Sequence, residues 1–378
     1  MADVQGSCDP RFDAMREILS ANLDSGADIG ASVAVVLGGE LVVDIWGGHT
    51  GPDRDQAWES DTIVNVWSTT KTMMTLSALM CVDRGLIDPD APVATYWPEF
   101  AQNGKEGVLV RHLLGHTSGV SGWDQPVTLN DLYDWELSTS KLAAQAPWWE
   151  PGTSSGYHAL NQGHLVGEVI RRVTGHKLGE FFAREVAGPL GIDFHIGLAE
   201  SEFDRVATLT PPPPPPWDLT ALDPEMVAVK TLTGPLASVE AVASPEWRGA
   251  DIGAANGHGN ARSVALAQSA ISHGGVACGT RLLSSDAIEE VFREQANGTD
   301  QVLMLPVRFG MGYGLPNETV PHLPNRRICF WGGYGGSQIV NDLDNNMTVT
   351  YVMNRMDEGL LGDVRGQSLV AAALNVVA

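Results

Sequence analysis

Apolar residues recur along the chain with two different periods, and the switches between them outline its organisation. From Phe12 to Leu23 they fall three and four apart, the spacing of one face of an amphipathic helix. Ala31-Ser32-Val33-Ala34-Val35-Val36-Leu37 is then almost continuously apolar. After the turn Gly38-Gly39 it is answered by Glu40-Leu41-Val42-Val43-Asp44-Ile45-Trp46, which predicts a β-hairpin. A helical period returns in Lys71–Met80, where Met73, Leu76 and Met80, widened by Leu79 and Val82, form an apolar stripe that Gly85 terminates. A long middle of helices and loops follows, with Val110–Leu114, the polar amphipathic run Leu129–Glu136 and Gly163–Val173 as its clearest segments. It also carries six consecutive prolines, Pro211–Pro216, expected as an extended polyproline II loop. Strand-like runs return at Arg327–Trp331 and Met347–Met353, and Leu369–Val376 closes as a helix. The pattern predicts an α/β sheet domain assembled from residues 1–85 and 285–378, with a mainly helical domain, 86–284, inserted between them.

Composition narrows the function classes. The chain has 378 residues, 43% of them hydrophobic and 18% charged, enough for one large core or two joined lobes. A formal net charge of −23 repels nucleic-acid phosphates and anionic lipid, so no nucleic-acid or membrane partner is expected. The first residues lack a basic segment followed by an apolar one, and no apolar run reaches membrane length, which makes the cytoplasm the expected compartment. Cys8, Cys81, Cys278 and Cys329 are scattered without metal or redox spacing and are expected as free thiols. His112 and His116 stand four apart, but Leu113-Leu114-Gly115 between them offers no glutamate of a zinc motif. Neither metal nor cofactor is expected.

The candidate chemistry lies at Ser68-Thr69-Thr70-Lys71, at the mouth of the Met73–Met80 helix. Residues three apart share a helix face, so Ser68 Oγ and Lys71 Nζ can meet locally. A serine needs a partner that takes its proton, and a lysine can be that partner only where burial or a nearby cation disfavours its charged form. The same spacing recurs at Ser138-Thr139-Ser140-Lys141, but in a polar helix where Ser138 and Ser140 read as a cap or a solvated face. Gly152-Thr153-Ser154-Ser155-Gly156 fits the nucleophile-elbow pattern, yet Ala146-Pro147-Trp148-Trp149-Glu150-Pro151 before it argues against the strand an elbow requires, so Ser154 reads as a loop residue. Tyr157 follows that glycine turn at a position from which a phenol can project into a cleft. Beside Lys71 its anion would be stabilised, and the two would titrate as a pair. Phe330-Trp331-Gly332-Gly333-Tyr334-Gly335-Gly336-Ser337 ends a strand in glycines, where backbone N–H groups can face a ligand.

In order and rough spacing these three elements resemble the serine β-lactamase and penicillin-recognition superfamily, in its class C-like branch. Leu113-Leu114-Gly115-His116-Thr117-Ser118-Gly119, Trp149-Glu150-Pro151-Gly152-Thr153 and Ala255-Asn256-Gly257-His258-Gly259-Asn260-Ala261-Arg262 spread the likeness over most of the chain. The resemblance implies an antiparallel β-sheet flanked by helices, a β-lactamase/transpeptidase-like fold with its site in the cleft between sheet and helical domain. It also implies Ser68 as the acylated nucleophile, Lys71 as its proton acceptor or electrostatic partner, Tyr157 as general acid/base, and the N–H groups of Ser68 and Tyr334 as the oxyanion hole.

The departures shift the expected substrate. β-Lactam enzymes of this branch usually read Tyr-x-Asn and Lys-Thr-Gly where this chain has Tyr157-His158-Ala159 and Trp331-Gly332-Gly333. An indole cannot replace the cation that helps bind the carboxylate of a penicillin or peptide tail. The Trp-Gly-Gly form instead resembles family VIII carboxylesterases, with Trp331, Gly332, Gly333, Trp123 and Trp149 as expected substrate contacts. A carboxylesterase acting on small or aromatic esters is therefore the expectation. Acyl transfer from the same acyl-enzyme, weak β-lactam or D-peptide hydrolysis, and a non-catalytic binding module are the alternatives, the last disfavoured by retention of Ser68, Lys71 and Tyr157 together. Oligomeric state and the natural ester leave no trace in the sequence.

Overall fold

The two ends of the chain meet in one sheet. In the computed structural model, which describes residues 2–214, 219–360 and 362–378, the strands β1 (Val4–Cys8), β2 (Gly30–Leu37), β3 (Glu40–Gly48), β4 (Ile328–Gly332), β5 (Gln338–Asp342) and β6 (Met347–Met353) form a six-stranded sheet. Their order is β1-β3-β2-β6-β5-β4, each neighbouring pair antiparallel. β2 and β3 are the expected hairpin, and Gly38 and Gly39 turn between them at φ 60° and 86°, as a tight two-residue turn requires. The halves join where β2 pairs with β6, Val35 opposite Val349 and Val33 opposite Tyr351.

Two strands carried no apolar run of strand length. β1 lies at the sheet edge with its middle exposed. β5 is buried throughout although three of its five residues are polar; of these, Asn341 donates to Gln268 and accepts from Thr348.

Successive residues of a strand face opposite ways, and both faces are covered. Val33, Val35, Phe330, Val349 and Tyr351 pack with α1 (Asp13–Ser25) and the C-terminal helix Val364–Val376. Ala34, Val36, Cys329, Trp331 and Val352 face a second core, shared with α2 (Thr70–Asp83), α3 (Trp135–Ala144), α4 (Gln162–Thr174) and α5 (Ala261–Ser272). Trp331 therefore points toward the helical side while Phe330 points away from it.

The helices do not divide at residues 85 and 284. α5 belongs by sequence to the span 86–284, yet it packs on β2, β5 and β6. α2 falls within 1–85, yet it packs against α4 and the short helix Leu178–Phe182. The core on the helical side of the sheet runs continuously through both parts of the chain. Val64–Asn65, His258–Gly259 and Phe194–His195 stitch the two parts together as a small three-stranded sheet.

Leu129–Glu136 is not one helix. Thr128 caps Leu129–Tyr133, and the Asp134 side chain then accepts from the Leu137 N–H to start α3. Ser138 sits inside α3 and is buried, so it is neither a cap nor a solvated residue, whereas Ser140 is exposed. Pro211–Pro214 carry no regular secondary structure, and Pro215 and Pro216 lie outside the described residues.

α2 is the central helix. Every residue from Thr70 to Cys81 is buried, so in place of one apolar stripe it is enclosed all round. Its hydroxyls turn back onto carbonyls, Thr70 onto Trp67, Thr72 onto Thr69 and Ser77 onto Met73. Lys71 is the one lysine this helix encloses.

Candidate active site

Ser68 stands on a 3-10 turn, Trp67–Thr69, that runs into α2. The turn is entered sharply. Trp67 adopts φ 48°, a left-handed conformation that an ordinary side chain avoids, and such strain persists only where the surroundings enforce it. Asn65 Oδ1 accepts the Trp67 N–H at 3.3 Å, and the Trp67 indole is wedged between Trp247 and Tyr334, each 5.7 Å away between ring centres. The sharp entry leaves Ser68 partly exposed while the residues on both sides of it are buried.

Lys71 is 2% exposed. Its Nζ donates to the carbonyls of Ala159 at 2.7 Å and Ala254 at 2.9 Å, and lies 3.1 Å from Ser68 Oγ. Burial holds its pKa well below the usual lysine value. Ala159 offers no side-chain amide; its contribution to the site is this main-chain carbonyl.

Tyr157 completes the cluster. Its hydroxyl donates to Ser68 Oγ at 2.7 Å, and Lys71 Nζ lies 4.7 Å from the centre of its ring. The expectation of a stabilised phenolate is not met: burial raises the phenol's pKa, and the hydrogen bond to Ser68 offsets that rise only in part. The indole N–H of Trp331 also leans toward this phenol and offsets a little more, but it stops short of hydrogen-bond geometry and keeps no acceptor among the described residues.

The segment that carries Tyr157 is held from behind by residues to which the sequence assigned no role. Its N–H donates to Asp300 Oδ1 at 3.0 Å, and the same oxygen accepts the N–H groups of Val302 and Leu303. The His158 N–H donates to His116 Nδ1 at 3.1 Å. His158 Nδ1 in turn faces the Gly156 carbonyl at 2.6 Å and its Nε2 faces the Ser118 hydroxyl at 2.6 Å, so His158 carries its proton on Nδ1 and accepts from Ser118. Burial pushes His158 down to about 3 and holds His116 well below its ordinary value, so both rings are neutral braces. His116 lies edge-on to Tyr157, 4.9 Å between ring centres. The motif signal was visible at His116-Thr117-Ser118. Asp300, and the carbonyls of Ala159 and Ala254, had no signal at all.

The third element docks onto the first. Gly333 packs so tightly that a Cβ there would stand 2.2 Å from the Val66 carbonyl oxygen and 2.3 Å from Ser337 Oγ. Ser337 donates to that same carbonyl at 2.9 Å and lies 2.9 Å from Thr69 Oγ1. Within the turn, the Gly336 N–H donates to the Gly333 carbonyl and the Gly333 N–H to the Ser337 carbonyl. Gly332, the last residue of β4, is buried opposite Gln338. Trp331 is 2% exposed, 5.4 Å from the Tyr157 ring.

The remaining expected contacts divide. Trp149 lies over Gly156, where a Cβ would come within 2.6 Å of its ring, and is only partly buried, edge-on to His158. Trp123 is a core residue: it is 1% exposed, its indole donates to the Ser138 carbonyl, and it packs edge-on to His164 inside the helical part. Ser154 stays in its loop, within 3.2 Å of Gln301 and apart from the lysine and phenol. His112 accepts from the Leu109 N–H, and among the described residues no cluster of His, Cys, Asp or Glu is arranged to hold a metal ion. All four cysteines are free thiols. No helix among the described residues is long and apolar enough to cross a membrane.

A sheet built from both chain ends, with a serine, a buried amine and a phenol converging beside its last strand, is the architecture of the β-lactamase family. The chain belongs to that family, whose profile matches residues 15–373. Over 370 residues it is 33% identical to the esterase/beta-lactamase LipL of Mycobacterium tuberculosis, covering 93% of this chain and 83% of that one. Among solved structures it is similar to a family VIII carboxylesterase, with a TM-score of 0.93, 39% identity, and coverage of 99% and 100% of the two chains. It is also similar to a penicillin-binding protein homologue from Caulobacter crescentus, with a TM-score of 0.91, 34% identity, and coverage of 99% and 100%.

Proposed function

We propose that the protein is a serine carboxylesterase that hydrolyses small or aromatic esters through an acyl-enzyme on Ser68. The observation that carries this reading is the hydrogen-bonded row formed by Tyr157, Ser68 and Lys71. Two of the directions around Lys71 Nζ are taken by carbonyl acceptors, which use both hydrogens of a neutral amine. Burial favours the neutral amine, so its lone pair faces Ser68. The Tyr157 hydroxyl donates to Ser68 Oγ, which leaves the serine proton directed at the amine.

Acylation then runs from this row. Ser68 Oγ attacks the ester carbonyl carbon and its proton passes to Lys71. The tetrahedral intermediate collapses as the Tyr157 proton goes to the departing alkoxide. The phenolate left behind is offset by the lysine ammonium 4.7 Å from the ring centre. In deacylation the phenolate takes a proton from water, hydroxide attacks the acyl carbon, and Ser68 leaves with the proton held by Lys71, which restores the starting state.

The developing oxyanion is met by the Ser68 and Tyr334 amides. Ser68 N–H is at the start of its helix, where the first amides have no intrahelical partner. In a trans peptide the C=O and N–H point opposite ways. The Gly333 carbonyl points into the turn toward the Gly336 N–H, so the Tyr334 N–H of the same peptide points out of it. Trp331, Trp149, Trp67 and Tyr334 give the surroundings an apolar, uncharged character suited to an ester rather than to a substrate anchored by its carboxylate.

A serine-directed aryl phosphonate is expected to label one peptide, the one containing Ser68, and a Ser68→Ala variant none; labelling at Ser154 or Ser138 overturns the assignment. A p-nitrophenyl short-chain ester is expected to turn over faster than a chromogenic cephalosporin. The reverse ranking would make the protein a β-lactamase first.

A further inference from the structure

The turn that presents the Tyr334 amide is not held by the catalytic helix alone. On its far side stands Arg365, in the first turn of α6 (Val364–Val376), 5% exposed and enclosed by acceptors. Its Nη2 donates to the Gly335 carbonyl at 2.9 Å, its Nε donates to Asp363 at 3.0 Å, and its Nη1 donates to Asp28 Oδ1, the Ala27 carbonyl and the Arg355 carbonyl, each at 2.9 Å. Nη2 and Asp363 Oδ2 also form a very short ion pair. Asp28 is fully buried and accepts in addition from the Tyr351 hydroxyl at 2.6 Å, in the middle of β6. Burial raises Asp28, an effect that Arg365 and the Tyr351 hydroxyl oppose.

Gly335 is gripped at both ends. Its N–H donates to the Gly359 carbonyl, and its carbonyl accepts the Asp357 N–H at 2.9 Å as well as Arg365. Gly335 and Gly336 take φ 94° and 130°, and a Cβ on Gly336 would collide with Asp363 and stand 2.8 Å from Arg365 Nη2. The missing side chain at Gly336 thus lets the ion pair lie directly against the backbone. The guanidinium's five N–H groups make six hydrogen bonds to five residues, three of them from Nη1, and this planar fork holds the Gly335 carbonyl in a fixed direction. The Tyr334 amide lies one residue upstream of that clamp.

We propose that Arg365 is a positioning residue of the oxyanion hole: through the Gly335 carbonyl it fixes the Gly333–Gly336 turn so that the Tyr334 N–H meets the charge developing on the substrate oxygen. This rests on the Ser68 and Tyr334 reading given above. Misplacing one oxyanion donor removes stabilisation that exists chiefly in the transition state, so it lowers kcat and leaves KM nearly unchanged.

The test compares wild type with Arg365→Lys and Asp363→Asn, each normalised to phosphonate-titrated active sites. Lysine keeps the charge but not the fork. Asparagine keeps the helix cap and the arginine but weakens the pair that aims it. The probes are a p-nitrophenyl ester and phenylboronic acid, which Ser68 Oγ adds to at boron to give a tetrahedral anion, its proton passing to Lys71. For Arg365→Lys we expect kcat to fall roughly tenfold or more with KM within about twofold, and boronate affinity to fall by the same factor. Asp363→Asn is expected to show a smaller loss on the same line, and it decides the matter alone if Arg365→Lys does not fold. Tyr351→Phe perturbs the same buried network away from the turn. It is expected to lower thermal stability without moving per-site kcat or boronate affinity. Per-site kcat and boronate affinity unchanged in both turn variants, or lowered equally in Tyr351→Phe, overturns the proposal. Failure of the underlying reading looks different: Ser68→Ala would then still bind phenylboronic acid as the wild type does.

Discussion

Replacing Tyr157 by phenylalanine deletes a single oxygen and leaves the ring where its neighbours hold it, 4.9 Å from His116 and 5.4 Å from Trp331 between ring centres. On stability the change is small, because one hydroxyl donating to Ser68 Oγ at 2.7 Å is lost, and such a bond contributes about 1 kcal/mol net. On catalysis it is large. Without the phenol, the departing alkoxide has no adjacent acid, since the Lys71 ammonium is committed to two carbonyls and to the former serine proton. General acid catalysis contributes roughly 10²–10⁴-fold, which at about 1.4 kcal/mol per decade is about 3–5 kcal/mol of barrier. The loss also depends on the leaving group. A p-nitrophenolate departs readily unprotonated and an ethoxide does not, so Tyr157→Phe is expected to lose at least about tenfold more activity on an ethyl ester than on the matching p-nitrophenyl ester. The assay is steady-state hydrolysis of both esters per phosphonate-titrated site, with thermal unfolding run in parallel. Equal losses on the two esters, or a loss under about tenfold on the ethyl ester, would refute the role of the phenol as proton donor.

Three further outcomes follow from the same geometry. Lys71→Met is expected to reduce ester hydrolysis by about 10²-fold or more. The unfolded chain keeps its lysine proton up to about pH 10 whereas the buried amine sheds it, so folding releases a proton; wild-type stability should gain on the variant between about pH 6 and pH 9, and a flat difference would mean that the folded amine is charged. Gly333→Ala drives a methyl into the Val66 carbonyl and Ser337 Oγ, so the turn must lift from the Ser68 helix; kcat should drop about tenfold or more with little change in KM, and full activity would show that the turn tolerates displacement. Asp300→Ala leaves the amides of Tyr157, Val302 and Leu303 without their shared acceptor and is expected to cost roughly 3 kcal/mol or more in denaturant unfolding, a figure that a near-neutral variant would contradict.

Local pattern reached some elements and missed others for physical reasons. The β2–β3 hairpin was legible because two apolar runs flank a Gly-Gly turn that only glycine enters freely. β1 was not, because an exposed edge strand has no apolar period, and β5 was not, because its two apolar residues, Ile339 and Val340, are flanked by buried polar ones such as Asn341, which pairs with Gln268 and Thr348. α2 was legible as a helix, but its complete enclosure was not, since that depends on α4, α5 and the sheet closing around it. In the site, Ser68 and Lys71 were readable together because helical spacing alone brings them onto one face. Tyr157 and Trp331 were readable through resemblance to a family. Trp123 was misplaced because nearness in sequence to a motif does not say which side of a helix an indole will pack against.

The sequence by itself determined the residue types and the local spacings: a hydroxyl one turn from an amine, a phenol after a glycine turn, and glycines ending a strand with tryptophan where a β-lactam enzyme keeps a cation. Tertiary structure alone decided the protonation of those groups and what aims them. Lys71 is depressed by burial, and two of its three partners are main-chain carbonyls 88 and 183 residues away, Ala159 and Ala254, whose side chains carry no information about the contact. Tyr157 is raised where its position beside a lysine suggested the reverse, because desolvation of the phenolate outweighs the help of neighbouring donors. Desolvation and backbone hydrogen bonding depend on the whole surrounding volume, and that volume exists only once the chain's two ends have closed into one sheet.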